Sequence, residues 1–130
     1  MKKIVLSTLL YAFVFGEHFH WLGDYNTALA KAKKQNKPLM VLLIGNDSKD
    51  SKEMVRKLFT NQPYIKQLNQ KVVGVIVNVD EKASYPNEMY WSNDYPTLFF
   101  TKSENETFLL SPLFKDTTPA RLEEIIKHLP

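Results

Sequence analysis

Residues 38–59 read PLMVLLIGNDSKDSKEMVRKLF, and two periods share that stretch. Leu39 to Ile44 is an unbroken apolar run, short and fenced by Pro38 and Gly45, as suits a strand buried on both faces. Asn46 to Ser51 is polar. Met54, Val55, Leu58 and Phe59 then return at helical spacing. Asn61-Gln62-Pro63 interrupts this helix, and Tyr64 to Asn69 adds another turn or two. A second β-rich run follows from Val72 to Val79, with Val73, Val75, Val77 and Val79 on one face. Strand, helix and strand in that order form a βαβ crossover, which needs a parallel pair.

On the N-terminal side, Asp24 has the chemistry of an N-cap. Tyr25 to Gln35 reads as a helix with Ala28, Leu29 and Ala32 inside, stopped by Asn36-Lys37-Pro38. On the C-terminal side, Asp80 to Asp94 is a long polar connection with a helical turn expected near Glu88 to Trp91. Thr97 to Thr101 is a third strand, Ser103 to Glu106 a hairpin turn, and Thr107 to Leu110 the expected returning strand. Thr118 caps a last helix with Pro119 at its first position, and Leu122, Ile125, Ile126 and Leu129 form its apolar stripe. The order predicts an α/β domain: a mixed central sheet of about four to five strands with helices on both faces.

The chain has 130 residues, enough for one domain with one core. Lys2 and Lys3, the apolar run Ile4 to Phe15 and the small residue Gly16 read as a signal peptide over residues 1–16, which leaves a domain over 17–130. The run is short for a membrane span, so no stable membrane insertion is expected after cleavage. The formal net charge of +3 includes both leader lysines. The remainder is close to neutral and gives no electrostatic case for nucleic acid or a membrane surface. The expected location is outside the cytoplasm, periplasmic or secreted. The sequence holds no cysteine, which removes thiol chemistry, thiolate metal sites and haem attachment.

From Asp24 to Pro130 the chain resembles the thioredoxin superfamily, above all exported thioredoxin-like proteins of the disulfide-reductase type. The resemblance rests on Ala28 to Lys33 with Asn36-Lys37-Pro38-Leu39, on Met54 and Phe59, and on Tyr95-Pro96-Thr97-Leu98-Phe99-Phe100. That last segment looks like the family's cis-proline segment. The resemblance implies a thioredoxin-like fold and a cis Tyr95–Pro96 bond. Counted back from Met54, the family's two redox cysteines fall on Ser51 and Ser48, with Asp47 before them. Thiol–disulfide exchange needs a thiolate that attacks and a second thiol that resolves. A serine hydroxyl stays protonated near neutral pH, so both half-reactions are lost and no catalytic residue is assigned. Capping explains Ser48 to Ser51 by chemistry alone: such side chains accept the first free N–H groups of a helix. Asp50 with Glu53 three residues on also resembles a capping box.

The family holds substrates by pairing an extended peptide with the backbone beside its cis-proline. The resemblance therefore implies a polypeptide partner near Pro96, with Tyr95, Pro96 and Thr97 at its edge. Tyr90, Trp91 and Tyr95, with Tyr85, read either as packing of the long loop or as an aromatic rim for that peptide. His18 and His20 share a face, but only His128 could join them. A flexible segment after the leader is expected there rather than a metal site. No metal or cofactor is expected. The resulting expectation is a redox-inactive, monomeric, polypeptide-binding or chaperone-like module. The alternatives are an oxidoreductase whose active-site cysteines were replaced by serine, and a glutathione-binding relative.

Overall fold

β2 (Leu39–Ile44) is the strand on which both halves of the core are built. The computed structural model describes residues 17–46 and 48–130, so the signal peptide expected over residues 1–16 and Asp47 lie outside the described residues. Successive side chains of a strand point to opposite faces. Met40 and Leu42 accordingly enter one cluster, and Leu39, Val41 and Leu43 the other. β3 (Val73–Asn78) runs parallel to β2, from Leu39 beside Val73 to Ile44 beside Asn78. β4 (Thr97–Thr101) runs antiparallel on the other side, with Leu43 beside Thr97. A short edge strand, β1 (Trp21–Leu22), pairs parallel with β3, and the sheet order is β1-β3-β2-β4. Four strands, three of them parallel, make the mixed sheet that the element order predicts.

Helix α1 (Tyr25–Gln35) covers one face through Tyr25, Ala28 and Ala32. Asp24 caps it by accepting the Thr27 N–H at 2.8 Å. Asn36 ends it in the left-handed region, φ 53°, a conformation asparagine tolerates. The other face carries α2 (Lys49–Phe59), α3 (Ile65–Lys71) and α4 (Pro119–His128). Met54, Leu58, Phe59, Ile65, Leu68, Leu122 and Ile126 seal it. Thr118 caps α4 as expected, accepting from the Arg121 N–H.

Two expectations are corrected. The segment from Glu17 to Gly23 is docked rather than flexible. The Phe19 N–H donates to the Phe59 carbonyl and the Asn61 N–H to the Glu17 carbonyl. The Phe19 ring lies on the bare backbone of Gly74, where a Cβ would stand 2.1 Å from Cε2. Burial of a large aromatic ring outweighs the entropy of a free end. Second, Thr107 to Leu110 is not a continuous strand. The chain touches the outer edge of β4 at two isolated bridges, Phe108 to Thr101 and Leu113 to Leu98. The returning side carries two residues more than β4 between them, and Pro112 has no N–H to give to a ladder.

Candidate functional site

β1, β2 and β3 all end at the same side of the sheet, where ligands of parallel sheets are held. There the chain leaves β2 through Gly45 and Asn46 and enters α2 at Ser48. The end of β3 clamps that exit. The Asn46 N–H donates to Asp80 Oδ2 at 2.7 Å, Asn78 Nδ2 donates to Asn46 Oδ1 at 2.9 Å, and the Val79 N–H donates to the Ile44 carbonyl. No sequence motif announces this clamp; only the short step from strand to polar turn at Asn78 hints at it.

Ser48 is the N-cap of α2. Its Oγ accepts the Ser51 N–H at 3.0 Å and the Ser51 hydroxyl at 2.6 Å. Ser51 itself is only 5% exposed. The two positions therefore face each other across the first turn, with Ser48 Oγ as the acceptor for both donors of Ser51. Among the described residues no imidazole or carboxylate bonds either hydroxyl. The capping box expected of Asp50 and Glu53 is not formed. Asp50 lies two residues past the cap, inside the first turn of α2, and pairs with Lys115 at 3.3 Å, while Glu53 pairs with Arg56.

The pairing of Leu43 with Thr97 sets the next residues, Tyr95 and Pro96, beside this exit. A Cβ on Gly45 would stand 3.6 Å from the Tyr95 ring. The Tyr95–Pro96 bond is cis. Pro96 is buried and Tyr95 half-buried. Among the described residues no backbone hydrogen bond engages Tyr95. A polar turn with two serines thus faces a cis-proline across the ends of β2 and β4.

A family model described as thioredoxin-like matches residues 20–103, from β1 through β4. The chain belongs to the thioredoxin-like family. Its fold is similar to that of a thioredoxin from Thermus thermophilus, with a TM-score of 0.67 over 85% of each chain and 20% identity. The C-terminal domain of DsbD from Neisseria meningitidis superposes with a TM-score of 0.60, covering 85% of this chain and 100% of that one at 16% identity. A DsbH oxidoreductase gives 0.59, with 85% of this chain, 83% of that chain and 18% identity. At such identities the likeness concerns the fold. No curated protein matches the chain. This thioredoxin-like domain contains no cysteine.

Of the residues expected at the peptide edge, the structure brings Tyr95, Pro96 and Thr97 together at the start of β4. Thr97 uses its hydroxyl internally, on Ser92 Oγ at 2.8 Å and the Asp94 carbonyl at 2.6 Å. Trp91 stands out at 67% exposed. Tyr90 does not join the rim, which corrects that assignment: it is 1% exposed and sits under the sheet. Its hydroxyl lies 2.9 Å from Thr101 Oγ1 and 3.2 Å from the Tyr25 hydroxyl, which in turn donates to Glu106 at 3.0 Å. Its ring meets Tyr25, Phe99 and Phe108 edge-on. Burial, then Tyr90 and Glu106, push the Tyr25 phenol far above its ordinary value, and burial raises Tyr90. Both stay protonated at any physiological pH, as hydrogen-bond partners rather than acids.

His18 and His20 do share a face, with ring centroids 5.5 Å apart. Among the described residues no group of three or more histidine or acidic side chains could hold a metal ion. No helix among them is long and apolar enough to cross a membrane. An open cavity of about 530 Å³ lies near the site, between Trp21, Asp24, Ile44, Asn78 and Glu81. The sequence offers no sign of it, because its walls come from four separate segments.

Proposed function

We propose that this thioredoxin-like protein carries out no thiol chemistry and instead binds other polypeptides in extended form at Tyr95–Pro96, as a monomeric chaperone-like or assembly module. One observation carries the reading: among the described residues no backbone hydrogen bond engages Tyr95, at the end of a sheet strand. Strand addition uses such groups, and it needs no sulfur. The serines support the same reading from the other side, because their hydroxyls are spent on a helix cap. Residues 1–16 support export to the periplasm or beyond, since they combine two lysines with an uncharged apolar run.

Two measurements test this together. In dithiothreitol-driven insulin reduction, the protein should run no faster than an inert control; clear turnover overturns the redox-inactive reading. In an NMR titration with unfolded polypeptide, the Tyr95 and Thr97 amides should move. A protein stabilised by glutathione, with those amides unmoved by polypeptide, is instead a glutathione-binding relative. Recovery of an uncleaved chain from the cytoplasm alone would remove the export part.

A further inference from the structure

His18 and His20 stand in a segment that is docked rather than flexible, and the docking presents both imidazoles together. Phe19 between them is 2% exposed, and its N–H donates to the Phe59 carbonyl at 2.9 Å. The side chains on either side of it point to the opposite face, and both histidines are exposed. Asn69, on α3, grips the main chain of both. Its Oδ1 accepts the His20 N–H at 2.9 Å, and its Nδ2 donates to the His18 carbonyl at 3.3 Å. The ring centroids lie 5.5 Å apart. With metal–nitrogen bonds of about 2 Å, two imidazoles on one ion have ring centres roughly 4.5–6 Å apart. The pair is therefore spaced to share an ion, but two side chains do not complete a coordination set.

Export would supply the rest of the set. Removal of residues 1–16 makes Glu17 the first residue and gives it an α-amine, directly ahead of His18. That amine, the His18 amide nitrogen and His18 Nδ1 can hold one ion in two fused chelate rings. Among the described residues no backbone hydrogen bond engages the His18 N–H. The Glu17 carbonyl is fixed by the Asn61 N–H at 2.8 Å. Rotation about the Glu17 Cα–C bond then moves only the amine and the Glu17 side chain, so the amine can swing onto the ion while the docked segment stays in place.

We infer that the processed chain binds one copper(II) ion at its start, through the Glu17 amine, the His18 amide nitrogen, the His18 imidazole and the His20 imidazole. This rests on the export reading above. A tetragonal set of nitrogens is diagnostic of copper(II), which also binds such donors more tightly than the neighbouring divalent metals do. On binding, the amine and the His18 amide each release a proton to water, and no electron moves. The negative charge left on the amide spreads onto the Glu17 carbonyl, where the Asn61 N–H already donates. Asn69 acts as a positioning residue, because it touches both histidine main chains and supplies no ligand.

The test uses the protein exported and processed by a bacterial host, with copper(II) alone as the probe. Intact mass should place Glu17 first. Titration is followed by tryptophan fluorescence, which an ion beside Trp21 quenches, and by electron paramagnetic resonance, which counts the coupled nitrogens. One ion per chain with four nitrogens is expected. A chain extended by several serines ahead of Glu17, and the variant His18→Ala, should each bind more than about 100-fold more weakly. His20→Ala should lose about tenfold and one coupled nitrogen. Asn69→Ala keeps every ligand and should also lose about tenfold, with the nitrogen count unchanged. His128→Ala should bind as the parent does. If the extended chain binds copper as tightly as the processed one, or copper attaches only in large excess, the site is overturned while export stands. If the protein is recovered uncleaved, the export reading falls and takes the site with it. An exported chain that begins at another residue overturns this ligand set.

Discussion

The start of α2 and the start of β4 face each other across the same end of the sheet, and they have opposite characters. At Ser48 the side-chain oxygen turns inward on the helix it begins and takes both donors of Ser51. At Tyr95 no backbone bond is made among the described residues, and Trp91 nearby stands exposed. In a thiol–disulfide enzyme both sides work on the substrate: one cuts, the other holds. Here the helix side is a structural cap, and the strand side is the docking edge proposed above. The two roles are separable because they draw on different chemistry, a nucleophile in one case and unpaired amide groups in the other.

The sharpest way to break this contrast is to put sulfur back. The hydroxyls of Ser48 and Ser51 are 2.6 Å apart, so the scaffold holds these side chains in bridging range. The double substitution Ser48→Cys with Ser51→Cys should close fully on mild oxidation, leaving no thiol for maleimide to label. Two thiols that remain free would mean that the first turn is not the frame of a redox pair.

Next in size come the residues beneath the docking edge. Tyr90→Ala removes a buried ring and should cost about 3–5 kcal/mol in urea denaturation. Tyr90→Phe keeps the ring but leaves partners unpaired, at about 1–3 kcal/mol. Trp91→Ala, one residue on, should stay within about 0.5 kcal/mol. Equal costs at 90 and 91 would erase the division between anchor and rim. The same cluster makes the fold sensitive to alkali. The folded Tyr25 keeps its proton where the unfolded chain releases it, near pH 10. This stabilisation is complete below about pH 10 and declines as pH rises beyond it, and Tyr25→Phe should flatten the decline in a pH series of unfolding curves.

The smallest effects separate the cap from its surroundings. Ser48→Ala should lower stability by about 1 kcal/mol, because the Ser51 N–H loses its acceptor. Asp50→Ala removes only an exposed ion pair and should change stability by about 0.5 kcal/mol or less. The reverse ranking would return the cap to Asp50.

How far these features could be read beforehand depends on how local their causes are. The strands at 39–44, 73–78 and 97–101 and helix α1 follow from apolar runs and their end signals, and they stand where the pattern puts them. The Ser48 cap was narrowed only to a stretch of capping residues, since Ser48, Asp50 and Ser51 are nearly equivalent by chemistry. Tyr90 was misplaced because an aromatic residue in a polar loop carries no mark of which way it points. Its burial comes from Tyr25, Phe99 and Phe108, each distant in the chain. The Asn46–Asp80 clamp arises from a pairing between segments, which no local window contains. One missed feature did leave a signal: Gly74 stands alone among valines, and a lone glycine in a strand marks a close approach.

That approach, Phe19 on Gly74, also orders events in time. Among the described residues β3 is the one strand that pairs with β1, Trp21 with Gly74 and Leu22 with Val75. On a ribosome, or emerging N-terminus first from a translocation pore, strand β1 must wait for Val73 to Val75 before it can pair. Helix α1 and the β2 hydrophobic run appear during that interval, so the earliest part of the domain to be made is among the last to close. The delay is the loop-closure cost of a parallel edge strand, met during synthesis rather than in the finished fold.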